Sequence, residues 1–94
     1  MMPQFTWDPE KAAANRRAHG VSFEVASRVW LDPLHVILPD RWQDGEERWH
    51  AVGLVGAAAV LLVVHTYLDD SGHLIRIISA RRATAHERRN YEEA

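Results

Sequence analysis

The 94-residue sequence contains no cysteine. That removes disulfide frameworks, thiolate nucleophiles and zinc–thiolate centres, and it leaves nothing that points to an oxidising compartment. The segment Met1 to Phe5 has neither a basic start nor an apolar stretch behind it, so no secretory signal is expected. The longest apolar run, Ala51 to Val64, is interrupted by Gly53 and Gly56 and is too short to span a membrane. A cytoplasmic location is the resulting expectation. Lysine is almost missing too: of 11 basic residues, Lys11 is the sole Lys. Arginine suits planar bidentate phosphate recognition. Codon bias accounts for the ratio more simply, so position rather than number must carry weight.

An excess of positive charge is also lacking. The net charge is −2, whereas nucleic-acid binders normally carry a basic footprint. The distribution is uneven, however. Between His73 and Tyr91 stand Arg76, Arg81, Arg82, Arg88 and Arg89 against Glu87 alone, five positive charges less one negative, or +4. With 47% hydrophobic and 26% charged residues the chain has ordinary globular composition, and its length fits one domain, residues 1–94.

Asp8-Pro9-Glu10 reads as a helix start, with Asp8 as cap and Pro9 at the first helical position; the helix should run to about His19, where Gly20 stops it. Ser22 caps a second helix with Phe23, Ala26, Val29 and Trp30 on one face, ended by Asp32-Pro33. Leu34 to Leu38 reads as a strand closed by Pro39-Asp40, and Glu46 to Val55 as a second, followed by a turn at Gly56-Ala57-Ala58. Val60 to Val64 is apolar on both faces, as a central strand covered on each side requires. After the turn signal Asp69-Asp70-Ser71-Gly72, Leu74 to Ala80 forms the last strand. Thr84 and Glu87 have capping-box spacing, so a final helix starts there.

The expected fold is therefore α+β: two N-terminal helices, a four-stranded antiparallel sheet and a C-terminal helix, with room for a short extra strand near Phe5. Short links between the strands favour hairpins.

Two blocks of residues fit a known family. The first is Phe5-x-Trp7-Asp8-Pro9-Glu10-Lys11 with Asn15 and His19-Gly20-Val21-Ser22-Phe23-Glu24. The second is Arg76-Ile77-Ile78-Ser79-Ala80-Arg81 with Ala83-Thr84-x-x-Glu87-Arg88. In these the sequence resembles the BrnT family of type II toxin–antitoxin toxins. Leu34 to Leu68 matches only in pattern, and Ala18 stands where the family usually has a basic residue. The resemblance implies a RelE-like fold, ribonuclease activity that arrests translation, and a BrnA-like antitoxin that wraps the toxin and binds operator DNA. DNA is then reached only through the antitoxin.

Metal-independent RNA cleavage by attack of the ribose 2′-OH needs a base, an acid and cations around the phosphorus. No His pair has metal-ligand spacing, and neither metal nor other cofactor is implied. Strict alternation along the last strand puts Arg76, Ile78, Ala80 and Arg82 on one face, and Ile75, Ile77, Ser79 and Arg81 on the other. Arg76 is either a phosphate clamp or the partner of Glu46, Glu47 or Asp8. Arg81, where strand meets helix, can share an anion with backbone N–H groups.

The base candidates are His65, expected to emerge beside Arg76, together with His19 and Lys11 on the first helix. Arg48 and His50 share one face of their strand as a second cation-plus-base pair. Arg82, Arg88 and Arg89 are candidates for RNA contact, and Tyr91 for stacking on a base. A non-catalytic reading uses the same arginines to receive an acidic antitoxin segment or to act as co-repressor. A third reading is a small structural subunit whose apolar sheet face, rich in Val and Leu, pairs with another chain. The expected assembly is a dimer or a toxin–antitoxin hetero-oligomer.

Overall fold

The computed structural model describes residues 2–57 and 59–94. Met1, and Ala58 of the expected turn, lie outside the described residues. The elements in chain order are β1 (Gln4–Thr6), α1 (Pro9–His19), α2 (Phe23–Ser27) with a 3-10 turn (Arg28–Leu31), β2 (Val36–Gln43), β3 (Glu46–Val55), β4 (Ala59–Tyr67), β5 (Leu74–Arg82) and α3 (Ala85–Glu93).

The helix signals act as read. The Asp8 carboxylate accepts from the Glu10 N–H at 2.9 Å, and Gly20 closes α1 at φ 71°, a left-handed conformation that costs glycine little. The second helix is shorter than expected. It tightens into the 3-10 turn after Ser27, because Pro33 keeps Asp32 extended (ψ 116°) and leaves Val29 and Trp30 only a short turn to reach the sheet.

The sheet has five strands, not four, in the order β1-β5-β4-β3-β2. Strands β2 to β5 form the antiparallel meander, while β1 pairs parallel with β5, placing Phe5 opposite Ile75. Three residues of β1 are too few to show alternation, which is why only its neighbourhood was legible. Strand β2 runs on through Pro39 to Gln43 rather than stopping at Leu38, since it is an edge strand with a bulge between Pro39 and Trp42, where a missing N–H is tolerated.

The main core packs Val21, Phe23, Ala26 and Val29 against Ala51, Leu61, Val63, Ile77 and Ala80 on one sheet face. A smaller cluster of Val52, Val60 and Leu62, with Tyr91 and Ala83 against it, lies on the opposite face under α3. Strand β4 is thus covered on both sides. Beyond Arg76 the outer edge of β5 has no β1 partner, and Asn15 fills the gap. Its side-chain amide donates to the Ala80 carbonyl (2.8 Å) and the Val21 carbonyl (3.1 Å), and its oxygen accepts from the Ala80 N–H (3.1 Å). One buried carboxamide thereby imitates a strand residue and ties α1 to the sheet.

Candidate active site on the α3 face of the sheet

The decisive local feature is a bulge in β5. Val64 lies opposite Ser79 but the next residue, His65, lies opposite Ile77, so β5 holds one extra residue at Ile78. Alternation resets there. Ile75, Ile77 and Ala80 all face the main core, and Arg76 and Arg81, expected on opposite faces, come to the same one. Reading across the register, that face carries Arg81, Leu62, Val52 and Val36 in a first row under α3. A second row holds Ser79, Val64, His50 and Leu38. Arg76 and Thr66 begin a third, which continues on β3 with Arg48.

Each charged group on this face has a defined partner. Arg76 Nη2 donates to Glu46 Oε1 at 2.5 Å, so the ion-pair alternative raised for Arg76 is realised, with Glu46 as partner. Glu46 also stands 3.7 Å from Arg48 Nη2, which lies 3.6 Å from Asp44. Arg48 is mostly buried and its Nε has no hydrogen-bond partner among the described residues. His50 Nε2 sits 3.2 Å from Asp40 Oδ2, carried by the bulged end of β2. Arg81 grips Glu87 through two parallel bonds, 2.7 and 3.0 Å, and also donates to the Arg82 carbonyl at 3.1 Å. The Arg81 guanidinium outweighs the opposing effect of partial burial and, with the Thr84 N–H, pulls Glu87 down to about 2; in return Glu87 raises Arg81.

Helix α3 forms the wall of the site. Thr84 and Glu87 complete the reciprocal capping box, with Glu87 N–H to Thr84 Oγ1 at 3.1 Å and Thr84 N–H to Glu87 Oε1 at 2.9 Å. At the other end the Tyr91 hydroxyl donates to Asp32, which also accepts the Leu54 and Leu34 N–H groups at 2.8 and 2.9 Å. Burial pushes Asp32 up, but the Tyr91 hydroxyl and these two N–H groups together bring it below its ordinary value. The Asp32 carboxylate, with burial, raises the Tyr91 phenol. Between helix and sheet lies a cleft of about 280 Å³, floored by Val52 and Leu62 and bordered by His50, Asn90 and Tyr91.

The remaining sequence candidates lie elsewhere. His65 is fully buried among Trp30 and Tyr67 on the main-core face, opposite Ile77 and not beside Arg76. Burial lowers it to about 4, against a weaker opposing bond to the Val63 carbonyl, so it is neutral and sealed from any substrate. The bulge is the physical reason for this correction. Lys11 and His19 are exposed on α1, across the sheet from Arg76, and Arg82 is exposed at the end of β5 on that same far side. Arg88 and Arg89 are exposed on α3, with Arg88 3.4 Å from Glu92.

Tyr91 has its hydroxyl occupied by Asp32, an anchoring role that spacing did not show. The Asp40 partner of His50 was also missed, because Pro39-Asp40 reads as the close of the strand, whereas a β-bulge carries the strand on and brings Asp40 onto the face. Among the described residues no group of three or more His, Asp or Glu side chains is placed to hold a metal ion. Among the same residues, no helix is long and apolar enough to cross a membrane.

A sheet face bearing three arginines and an imidazole–carboxylate pair, walled by a C-terminal helix, is the candidate site of this small α+β protein. The chain belongs to the BrnT family: residues 7–87 match the family described as the ribonuclease toxin BrnT of type II toxin–antitoxin systems. It is thus a ribonuclease toxin by family, and membership implies an antitoxin partner. Its fold is similar to that of the Brucella abortus ribonuclease toxin BrnT, known from a 1.1 Å crystal structure, with a TM-score of 0.69 over 87% of this chain and 97% of that one at 20% identity. No curated protein matches the sequence.

Proposed function

We propose that the α3 face of the sheet cleaves RNA without a metal, with His50 as general base and Arg76, Arg48 and Arg81 as the cations that stabilise the phosphorane. The observation that carries this reading is the β5 bulge, which gathers the arginines on the face that also holds the His50–Asp40 pair. With the Asp40 carboxylate accepting from His50 Nε2–H, Nδ1 keeps the lone pair and serves as base. His50 takes the proton from the ribose 2′-OH, the 2′ oxygen bonds to phosphorus, and the bond to the 5′ oxygen breaks. That oxygen takes a proton from water, leaving a 2′,3′-cyclic phosphate. Negative charge builds on the non-bridging oxygens, where a guanidinium fork is complementary.

In the free protein Glu46 and Glu87 occupy the forks of Arg76 and Arg81. They hold the guanidinium groups in place until phosphate exchanges for carboxylate. Cleavage of cytoplasmic RNA in this way arrests translation, and the antitoxin neutralises the toxin by covering the same face. The test is purified protein with structured RNA, with and without EDTA, beside His50→Ala, Arg76→Ala and Arg81→Ala. The expected result is EDTA-resistant cleavage that falls about 10²-fold or more in each variant. Loss of cleavage in EDTA, or full activity in the variants, overturns the assignment.

The paired state of the arginines supports a second reading. A fork that already grips a carboxylate is suited to an acidic antitoxin segment, which makes the chain a non-catalytic partner of a DNA-binding antitoxin and a co-repressor. Absence of cleavage on both free RNA and translating ribosomes favours it.

A further inference from the structure

On the sheet face away from the site, Arg16 and His19 from the end of α1 and Arg82 from the end of β5 line one cleft of about 260 Å³. Its floor includes Val25 and Leu61, and among the described residues no Asp or Glu lines it. The contrast with the α3 face is physical: there Arg76, Arg81 and Arg48 each stand against a carboxylate, whereas Arg16 and Arg82 are exposed with no acidic partner among the described residues. The C-terminal dipole of α1 favours the cation of Arg16, and an anion bound in the cleft adds a full counter-charge shared with Arg82.

We infer that this cleft is a second phosphate subsite, which holds the backbone of the same RNA strand one or more nucleotides from the bond being cleaved. The inference rests on the ribonuclease reading above. What selects RNA over an acidic peptide is continuity with the cleavage face. Arg81, at the rim of that face, and Arg82, at the mouth of the cleft, are consecutive residues on opposite sides of β5. A strand leaving the face passes over the end of β5 and into the cleft, with Arg81 and Arg82 as successive contacts. The two arginine charges are permanent, and the His19 ring offers an N–H donor in either tautomer.

The test measures binding separately from cleavage, using a fluorescein-labelled 16-nucleotide 2′-O-methyl RNA, which lacks the attacking hydroxyl. Affinity is read by anisotropy across a range of salt concentrations for the wild type and for an Arg16→Gln, Arg82→Gln double variant. Both side chains are exposed and unpaired, so the double variant should melt with the wild type. The expected result is affinity about tenfold weaker or more, with a salt dependence shallower by roughly 1.4 log units per log salt, since each cation on a single strand accounts for about 0.7. Equal affinity and equal slope overturn the subsite. So does a variant that keeps RNA but loses a decaglutamate peptide, which makes the cleft a protein-binding site. If the wild type cleaves natural RNA and the two proteins bind alike, this inference alone fails. If the wild type neither binds nor cleaves RNA, the ribonuclease reading fails with it.

Discussion

His65 should make the fold acid-labile in a defined pH window. The side chain is fully buried, its Nε2 has no hydrogen-bond partner among the described residues, and the Trp30 ring stands 4.9 Å away by centroid. Burial depresses its folded value from 6.5 to about 4, against a partial rise from the Val63 carbonyl. The unfolded chain therefore binds the proton more readily than the folded one. Above about pH 6.5 the group is neutral in both states and stability is unaffected; as pH falls from there towards 4, stability drains away. The gap between 6.5 and about 4, at roughly 1.4 kcal/mol for each pH unit, amounts to about 3.5 kcal/mol, most of it lost by about pH 4.5.

Urea unfolding followed by tryptophan fluorescence at pH 7.5 and 4.5 measures the loss directly. His65→Phe keeps an aromatic ring in the cluster and removes the proton site, so its stability should fall far less over the same interval. Glu87, lowered from 4.5 to about 2, gives up its stabilisation only below about pH 4.5, so the two windows separate. An equal loss in wild type and His65→Phe refutes the reasoning.

Four further outcomes are expected. Asn15→Ala removes three buried hydrogen bonds and strands the Ala80 N–H and C=O, costing about 2–4 kcal/mol in chemical denaturation. Tyr91→Phe frees the end of α3 from Asp32 at a cost of about 1–2 kcal/mol, with faster amide exchange confined to α3 and the Leu54 N–H. Thr84→Ala breaks the capping box for about 1 kcal/mol, read as a lower melting temperature. Gly53→Ala sets a Cβ 2.9 Å from Val29 Cγ1 and 3.2 Å from the Val29 carbonyl, so it should cost about 1–3 kcal/mol in the same assay.

The elements whose information is local were legible in the sequence. Asp8-Pro9 and Gly20 bound α1 where read, Thr84 and Glu87 form the box their spacing implied, and the two-faced apolar run became the covered strand β4. What escaped depends on contacts distant in sequence. The edge pairing of β1 is three residues long, and Asn15 reveals its purpose only when Ala80 is beside it. One extra residue at Ile78 inverts every later side chain of β5, so strict alternation split Arg76 from Arg81 and brought His65 to the wrong neighbour. The His50–Arg48 pair was visible as a shared strand face, but its Asp40 partner depends on a second bulge. Both bulges decide the site, and neither leaves a signal in hydrophobic periodicity.

The most direct test of the His50–arginine face is single-turnover cleavage of a 5′-labelled RNA in EDTA, comparing wild type with His50→Ala and analysing the new 3′ end of the labelled upstream fragment. The expected result is a 2′,3′-cyclic phosphate end and a rate reduced about 10²–10⁴-fold in the variant, with an unchanged circular dichroism spectrum. An unchanged rate in His50→Ala, or a product ending in a free 3′ hydroxyl, contradicts the assignment.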